Sequence, residues 1–229
     1  MADPLESNGA NVDATVNLLV AARDAKVKRV VYAASSAAYG DTPTLPKRED
    51  MPPSPISPYA VAKLTGELYM TSFWRCYGME TVSLRYFNIF GPRQDPNSPY
   101  SGVLAKFITQ MLRGEQPMIL GDGQQSRDFT YIDNVVSANL LACQAPAAEV
   151  AGRVFNIATG HRVELNETFR LLKKLTRYAG EVGYGPERTG DVKHSLADLS
   201  LARKHLGYEP GVNFEEGLRR TIEWYRGQE

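Results

Sequence analysis

Two short apolar runs, each followed by a polar loop, place the strongest constraint on what this chain can fold into. Residues 28–34 and 80–87 are rich in strand-forming residues and have the length of buried strands. Residues 5–25, 57–77 and 102–113 show the spacing of helices around them. Because strands that alternate with helices form parallel sheets, we expect an α/β fold with functional residues at the carboxyl ends of its strands.

The rest of the chain has a more mixed pattern and no internal repeat. We predict short strands over residues 117–123, 127–132 and 154–158, and helices over residues 134–144, 167–178 and 214–226. Asn166 has the side chain of a helix N-cap. The pattern predicts two unequal parts, residues 1–91 and residues 92–229, with some segments of the second part returning to the first sheet.

Tyr59 and Lys63 are the strongest candidates for chemistry. They lie four residues apart at the start of a predicted helix, so their side chains share a face and the ammonium can lie beside the phenol. A tyrosine titrates near pH ~10, and a nearby cation favours its anion. The pair predicts a general base that removes a proton from an alcohol. The spacing also arises by chance in helices, so its meaning depends on the surrounding motifs.

Composition excludes several classes of partner. The chain has 26 basic and 26 acidic residues, which gives no electrostatic footprint for nucleic acid or an anionic membrane. No apolar run approaches the ~20 residues of a membrane span, and the start has no signal-peptide pattern. Cys76 and Cys143 are isolated, and His161, His194 and His205 are scattered. We therefore expect a cytoplasmic protein with reduced thiols and no metal site.

The order of four motifs resembles a known enzyme family. The motifs are Ser35-Ser-Ala-Ala-Tyr-Gly40, Ser57-Pro-Tyr-Ala-Val-Ala-Lys63, Arg85-Tyr-Phe-Asn-Ile-Phe-Gly91 and Ser126-Arg-Asp-Phe-Thr-Tyr-Ile-Asp133. Together they resemble the extended short-chain dehydrogenase/reductase family of nucleotide-sugar epimerases and dehydratases. The resemblance implies a partial, Rossmann-like, doubly wound parallel sheet, followed by a smaller mixed α/β region that binds substrate. It also implies NAD as cofactor, a UDP-sugar as substrate and a homodimer.

The resemblance also implies catalytic roles. Tyr59 takes the proton from the sugar 4-hydroxyl, and Lys63 lowers the pKa of Tyr59 and holds the nicotinamide ribose. Ser35 occupies the catalytic serine position, with Ser36 as the neighbouring candidate. Hydride passes from C4 to NAD and returns to the other face of a 4-keto sugar. The predicted cofactor contacts are Ala33, Tyr59, Lys63 and Tyr86.

The substrate contacts that the resemblance implies are spread over the second part. They are Asn88, Arg127 and Arg188 at the diphosphate, Gly102, Val103 and Leu120 at the uridine, Asp191 at a ribose or an arginine, and Ser35, Tyr59 and Ser195 at the sugar. Ser195 lies seven residues after Arg188. Related enzymes restricted to non-acetylated sugars have a bulky tyrosine there, so the small serine predicts room for an N-acetyl group.

The predicted activity is 4-epimerisation of UDP-GlcNAc and UDP-GalNAc, and also of UDP-glucose and UDP-galactose. The motifs are most similar to those of epimerases that serve bacterial surface-polysaccharide synthesis. The dTDP-glucose 4,6-dehydratases fit poorly, because Ser36-Ala37 stands where they have Asp-Glu. UDP-glucuronate epimerases and decarboxylases of the same family remain an alternative.

A glycine-rich turn is missing from the sequence. No Gly-x-Gly-x-x-Gly follows an N-terminal strand, although that turn is where the family binds the cofactor pyrophosphate. We therefore expect the first mononucleotide-binding half to be lacking, one sheet edge to be exposed and NAD to bind weakly. A non-catalytic fragment that binds only the sugar nucleotide is the second alternative.

We expect dimers to pair through the helices predicted at residues 5–25 and 57–77, as the family does. The apolar residues that this assigns to the pairing surface are Leu18, Ala22, Ala25, Leu64, Leu68, Thr71 and Phe73.

Overall fold

Helices and strands alternate along most of the chain. The computed structural model describes residues 3–98, 102–187 and 192–228. The α-helices are α1 (Pro4–Asn8), α2 (Ala14–Asp24), α3 (Pro58–Tyr77), α4 (Val103–Leu112), α5 (Ile132–Gln144), α6 (Ala147–Val150), α7 (Leu165–Thr176), α8 (Ser200–Leu206) and α9 (Phe214–Arg226). The strands are β1 (Arg29–Ser35), β2 (Glu80–Tyr86), β3 (Ile89–Phe90), β4 (Met118–Leu120), β5 (Ser126–Arg127), β6 (Thr130–Tyr131), β7 (Arg153–Ile157), β8 (Val163–Glu164) and β9 (Gly183–Gly185). None of these helices is long and apolar enough to cross a membrane.

A parallel sheet in the order β1-β2-β7 is the centre of the fold. Ser35 pairs with Tyr86, and Tyr86 pairs with Ile157, so all three strands end at the same edge. Loops that carry polar side chains leave this edge, as the sequence predicts for a parallel sheet. Among the described residues, β1 has a strand partner on one side only, as expected for an exposed edge.

Helices cover both faces of the sheet. On one face Val30 and Tyr32 pack with α2 and α3, in a cluster formed by Leu19, Ala22, Met70, Phe73 and Met79. On the other face Val31, Val82 and Leu84 pack with α5 and α8, in a cluster that includes Ala138, Ala142, Ala202 and Leu206. Successive strand residues point to opposite faces, so burial on both sides produces the doubly wound arrangement. The predicted fold class is confirmed.

A third hydrophobic cluster lies away from the sheet. It is formed mainly by α4, α7 and α9, with Phe90, Ile108, Leu172 and Leu218 among its buried members. The short strands outside the central sheet pair as β3-β6, β4-β9 and β5-β8. These helices have apolar faces at helical spacing, which is why the sequence predicts α4 and α9 within one residue of their observed ends.

One local prediction missed a detail, and two were wrong. The helix predicted over residues 5–25 contains a π-helical turn at Gly9–Asp13. The strand predicted over residues 127–132 is two short strands, because the Asp128 carboxylate between them accepts hydrogen bonds from Thr159, Gly160 and Ala197. The predicted cap Asn166 lies inside α7, where its amide donates to the Asp122 carbonyl and accepts from the Tyr184 hydroxyl.

Candidate active site

A cleft of about 470 Å³ opens at the carboxyl edge of the sheet, and we call it the catalytic cleft. Among the described residues that the sequence predicts for the site, those lining the cleft are Ala33, Ser35, Ser36, Tyr59, Lys63, Tyr86, Asn88, Arg127 and Ser195. They come from β1 and the turn after it, from α3, from β2 and the loop after it, from β5 and from the segment before α8. The fold therefore brings distant parts of the chain to one place.

Tyr59 is positioned by the start of α3. Ser57 caps this helix, its Oγ accepting the Ala60 N–H at 3.2 Å, and Pro58 occupies the first turn. These residues fix where the helix begins, and hence which side chain of the first turn faces the cleft. Ser35, at the end of β1, lines the same cleft as Tyr59 and lies near its phenol. The two hydroxyl groups therefore face the same space.

The electrostatics of Tyr59 and Lys63 differ from the sequence prediction. Burial raises the pKa of Tyr59, and the neighbouring Ser35 hydroxyl acts in the opposite direction. Burial also lowers the pKa of Lys63. The Lys63 ammonium lies over the Tyr32 ring, 4.7 Å from its centroid. In this arrangement desolvation outweighs any lowering of the Tyr59 pKa by the lysine.

Ser35, Ser36 and Tyr86 form the wall at the strand ends. Ser35 caps a short 3-10 turn at Ser36–Tyr39, and its Oγ accepts the Ala37 N–H at 3.2 Å. Tyr86 lies beside Ser35 across the sheet, and its hydroxyl donates to Asn139 Oδ1 at 3.0 Å. The Tyr86 hydroxyl therefore already has a hydrogen-bond partner on α5.

Asn88 and Ser195 are linked directly. Asn88 has a positive φ of 32°, and its Nδ2 donates to the Asp128 carbonyl and to Ser195 Oγ, each at 3.0 Å. Ser195 Oγ also accepts the Asp128 N–H at 3.2 Å, and Ser195 is 9% exposed. Ser195 is therefore a buried cleft residue whose hydroxyl helps to orient Asn88.

A second cavity of about 430 Å³, the apolar cavity, adjoins the cleft. Gly102, Val103 and Leu120 line it, together with Phe107 and Phe129. Four residues line both spaces: Asn88, Ile89, Gln94 and Arg127. The Arg127 guanidinium donates to the carbonyls of Ser126 and Lys193, both at 3.0 Å, which fixes its position at the junction.

The charge of the catalytic cleft favours an anion. Its described lining includes Lys47, Lys63 and Arg127 and contains no Asp or Glu. A cleft lined by one sign of charge concentrates ligands of the opposite sign. Among the described residues, no three His, Cys, Asp or Glu side chains are grouped to hold a metal ion.

Some site residues were not predicted, and two predicted ones cannot be placed. Arg188 and Asp191 lie outside the described residues. Gln94, Lys47 and His194 line the cleft without having been predicted from the sequence. The sequence could have indicated two of these residues only through their position beside a motif. Gln94 follows the Asn88 motif, and His194 precedes Ser195.

A sequence model of the NAD dependent epimerase/dehydratase family matches residues 1–158. The chain belongs to this family. It is therefore a member of an enzyme family with Rossmann-fold relatives, and NAD is the family's cofactor. The NAD-dependent epimerase/dehydratase motifs that the sequence shows are the ones that line the catalytic cleft.

Solved structures of this family are similar over nearly the whole chain. A UDP-N-acetylglucosamine 4-epimerase from Methanobrevibacter ruminantium, in complex with UDP-N-acetylmuramic acid, is 43% identical with a TM-score of 0.93. The match covers 100% of this chain and 72% of that one. A UDP-glucose 4-epimerase from Thermotoga maritima, with UDP-glucose, is 41% identical with a TM-score of 0.94, over 99% and 72% of the two chains.

A more distant epimerase structure contains the cofactor. A UDP-glucuronic acid 4-epimerase from Bacillus cereus, in complex with UDP-glucuronic acid and NAD, is 30% identical with a TM-score of 0.88. The match covers 96% of this chain and 68% of that one.

The residues of this epimerase-family cleft fit the reactive end of NAD. Ala33 is small and exposed at the cleft wall, so it leaves room for a flat ring. Lys63 offers an ammonium, a donor suited to ribose hydroxyls, on the same helix face as Tyr59. Ala33, Lys63 and Tyr86 are the residues that would hold the nicotinamide end.

Proposed function

We propose that this chain carries the catalytic and substrate-binding residues of an NAD-dependent UDP-sugar 4-epimerase. The continuity of the two cavities carries the proposal. Tyr59 and Ser35 stand in the catalytic cleft, Gly102 and Val103 stand in the apolar cavity, and Arg127 lies where the two spaces join. A sugar, a diphosphate and a nucleoside follow one another in the same order along a UDP-sugar.

The side chains of the cleft serve the proton half of the reaction. NAD, when bound, supplies the hydride acceptor and donor at the sugar C4. Tyr59 removes the proton from the 4-hydroxyl and returns it when the hydroxyl is formed again, while Ser35 hydrogen bonds the same oxygen. Lys63 is the cation on the Tyr59 helix face that can favour the ionised phenol.

The nucleotide half of the substrate is recognised by charge and by apolar surface. The Arg127 guanidinium offers planar donors to phosphate oxygens at the junction of the cavities, and Asn88 lies beside it. Phe107, Phe129 and Leu120 give the apolar cavity a surface suited to a base. We assign Arg188 to the diphosphate and Asp191 to its ribose or arginine partner on the motif alone.

We infer that the preferred sugars are UDP-GlcNAc and UDP-GalNAc, with UDP-glucose and UDP-galactose also accepted. Two observations support this preference. Ser195 is small and lines the catalytic cleft, and the 43% identical relative from M. ruminantium is a UDP-N-acetylglucosamine 4-epimerase. The chain then serves the supply of amino sugars for polysaccharide synthesis.

A UDP-glucuronate 4-epimerase is the second candidate, and one observation favours it. The described cleft lining contains the buried Lys47 and no carboxylate, so it would tolerate an acidic C6 group. The B. cereus relative, which acts on this sugar nucleotide by name, is less similar, at 30% identity. We therefore rank this activity below the amino-sugar one.

Organisation and location follow from the same proposal. We place the cofactor and catalytic region at residues 1–91 and most of the sugar-nucleotide region at residues 92–229. Cys76 and Cys143 are free thiols, which suits the cytoplasm, where such enzymes meet nucleotide sugars. We also propose a homodimer that pairs through α2 and α3.

The proposal is tested by ligand binding and by conversion. Calorimetry should show that the chain binds UDP-GlcNAc, and Arg127→Met should weaken that binding, with exposed Arg219→Met as the matched control. Conversion of UDP-GlcNAc and of UDP-glucuronate should be assayed with NAD added, for the chain alone and joined to the family's Gly-rich unit. We expect conversion only in the joined form and weak NAD binding by the chain alone. No conversion of any UDP-sugar by either form would refute the epimerase assignment.

A further inference from the structure

Tyr32 of β1 lies against the lysine of the proposed active site, although it does not itself line the catalytic cleft. The Lys63 ammonium is 4.7 Å from the centroid of the Tyr32 ring. A cation within about 6 Å of a ring centroid is attracted by the negative face of the ring, most strongly where water is partly excluded. Both side chains are partly buried. The contact is therefore in the range where it affects the position and the charge of Lys63.

The Tyr32 hydroxyl holds the ring in this place. It donates to the Lys63 backbone carbonyl at 3.3 Å, and it also interacts with Thr15 of α2. Gly66, one turn further along α3, leaves the space that the hydroxyl needs. A Cβ at that position would lie 2.2 Å from the Tyr32 oxygen, which is closer than real contacts allow. The ring is thus fixed between β1, α2 and α3.

The acidic group near this pair already has a partner. Besides Lys63, the ionisable groups that act on the Tyr32 phenol are Tyr59 in the turn before Lys63 and Glu67 in the turn after it. The Glu67 carboxylate is already paired with Arg85, at 2.6 and 2.9 Å. Burial disfavours the charge of Lys63. The ring face offsets part of that cost.

We propose that Tyr32 is a positioning residue that holds the Lys63 ammonium over the face of its ring. It acts on the reaction through Lys63, so its importance to turnover rests on the proposed function, while the contact itself does not. The two parts of the Tyr32 side chain have different roles. The ring binds the cation, and the hydroxyl orients the ring.

The experiment titrates Lys63 directly in the full chain, by carbon-13 NMR of the lysine ε-carbons. The Lys63 signal is the one lost in Lys63→Met. Tyr32→Leu should lower the Lys63 pKa by about one unit, because the charged form loses its ring contact. Tyr32→Phe keeps the ring and loses only the hydroxyl that orients it, so it should lower the Lys63 midpoint clearly less than Tyr32→Leu does. Tyr77→Leu is the matched control, because it removes an exposed ring on α3 that faces Arg23 at 5.0 Å.

Two results would overturn the proposal. One is equal Lys63 midpoints in Tyr32→Leu and Tyr32→Phe, since the ring would then be irrelevant. The other comes from the wild-type chain and needs no folded variant: the Lys63 ε-methylene protons should be shifted upfield by the ring, and ordinary lysine shifts would contradict the contact. Neither readout requires catalysis. A failed epimerase assay with a shifted Lys63 signal would therefore count against the proposed function alone.

Discussion

At the scale of single residues, Tyr59 carries the clearest prediction. Tyr59→Phe should lower kcat by ~10² to 10⁴ in the NAD-loaded protein joined to the Gly-rich unit, because the proton acceptor is lost. KM should change little, since the ring remains. Tyr69→Phe removes a hydroxyl of similar exposure from the same helix and should have no effect. Wild-type turnover by Tyr59→Phe would show that another group takes the proton.

Ser195 tests the sugar preference. Ser195→Tyr should suppress conversion of UDP-GlcNAc and UDP-GalNAc and largely spare UDP-glucose and UDP-galactose, because the added ring fills the space needed by the N-acetyl group. The measurement is kcat/KM for both pairs.

The hydrogen bonds of Ser195 call for a control variant. Ser195→Ala removes the bonds to Asn88 and Asp128 without adding bulk, so it should affect both sugar pairs equally. If Ser195→Tyr also lowered kcat/KM equally for both pairs, loss of the Asn88 contact would explain it and steric selection would be wrong.

The sequence predicts where the reactive residues gather but not all that they touch. Ser35 ends a strand, Asn88 follows one and Tyr59 lies in the first turn of a helix, so a parallel sheet brings them to one edge. Tyr32 lies within an apolar strand and has the pattern of an ordinary core residue. Its contact with Lys63 depends on the space left by Gly66 across the helix–sheet interface, which periodicity does not report.

At the scale of secondary-structure elements, Arg29 joins β1 to the end of α5. Its Nη1 donates to the carbonyls of Ala142, Cys143 and Ala145 at 2.7 to 2.9 Å, and its other nitrogens pair with Glu80. A cation here donates hydrogen bonds to carbonyls that have no partner within the helix. It also interacts favourably with the negative, C-terminal end of the helix dipole.

Removal of this arginine should therefore cost stability. Arg29→Met should lower the free energy of unfolding by about 2 to 4 kcal/mol, because Glu80 and the three carbonyls lose charged hydrogen bonds in a partly buried place. Urea denaturation measures the change. Arg219→Met, which breaks an exposed pair on α9, should cost less than ~0.5 kcal/mol. Equal costs for the two variants would contradict the role of Arg29.

The sequence predicts the elements whose apolar residues recur with a regular spacing. It does not predict those whose bounds depend on side-chain contacts. The observed bounds of α9 match the prediction, and those of α3 and β2 agree within one residue, because their apolar spacing is regular and capping residues begin the two helices. Strand β9 is three residues long and α8 is seven, too short for a periodic signal. The break between β5 and β6 depends on the buried Asp128, whose partners lie more than 30 residues away.

At the scale of the whole molecule, exposed apolar residues on α1, α2 and α3 support the proposed homodimer. Leu5, Leu18, Val61 and Leu68 are each at least half exposed. The sequence also assigned Ala22 and Phe73 to this surface, which was wrong: both are buried against the sheet. A homodimer that pairs through this surface would bury these apolar side chains.

Light scattering tests the assembly. The chain should be dimeric at micromolar concentration, and Leu68→Glu should shift it towards monomer by placing a charge in the interface. Leu140→Glu is the matched control, because Leu140 is similarly exposed on α5, on the other side of the sheet. A wild-type chain that is monomeric throughout, or an equal response to both variants, would remove the support for a dimer.

The bonds between β2 and α3 lead to a prediction of how the proposed activity would be lost on heating. Buried Arg85 of β2 pairs with Glu67, and Thr81 donates to the Met70 carbonyl at 2.7 Å. These bonds join the central strand β2 to α3, the helix that contains Tyr59. The same strand leads directly into Asn88. Melting of this interface would therefore displace Tyr59, the proposed proton acceptor, and Asn88, a proposed substrate contact, in one cooperative step. Thermal inactivation and unfolding should coincide, without a folded intermediate that still binds nucleotide sugar.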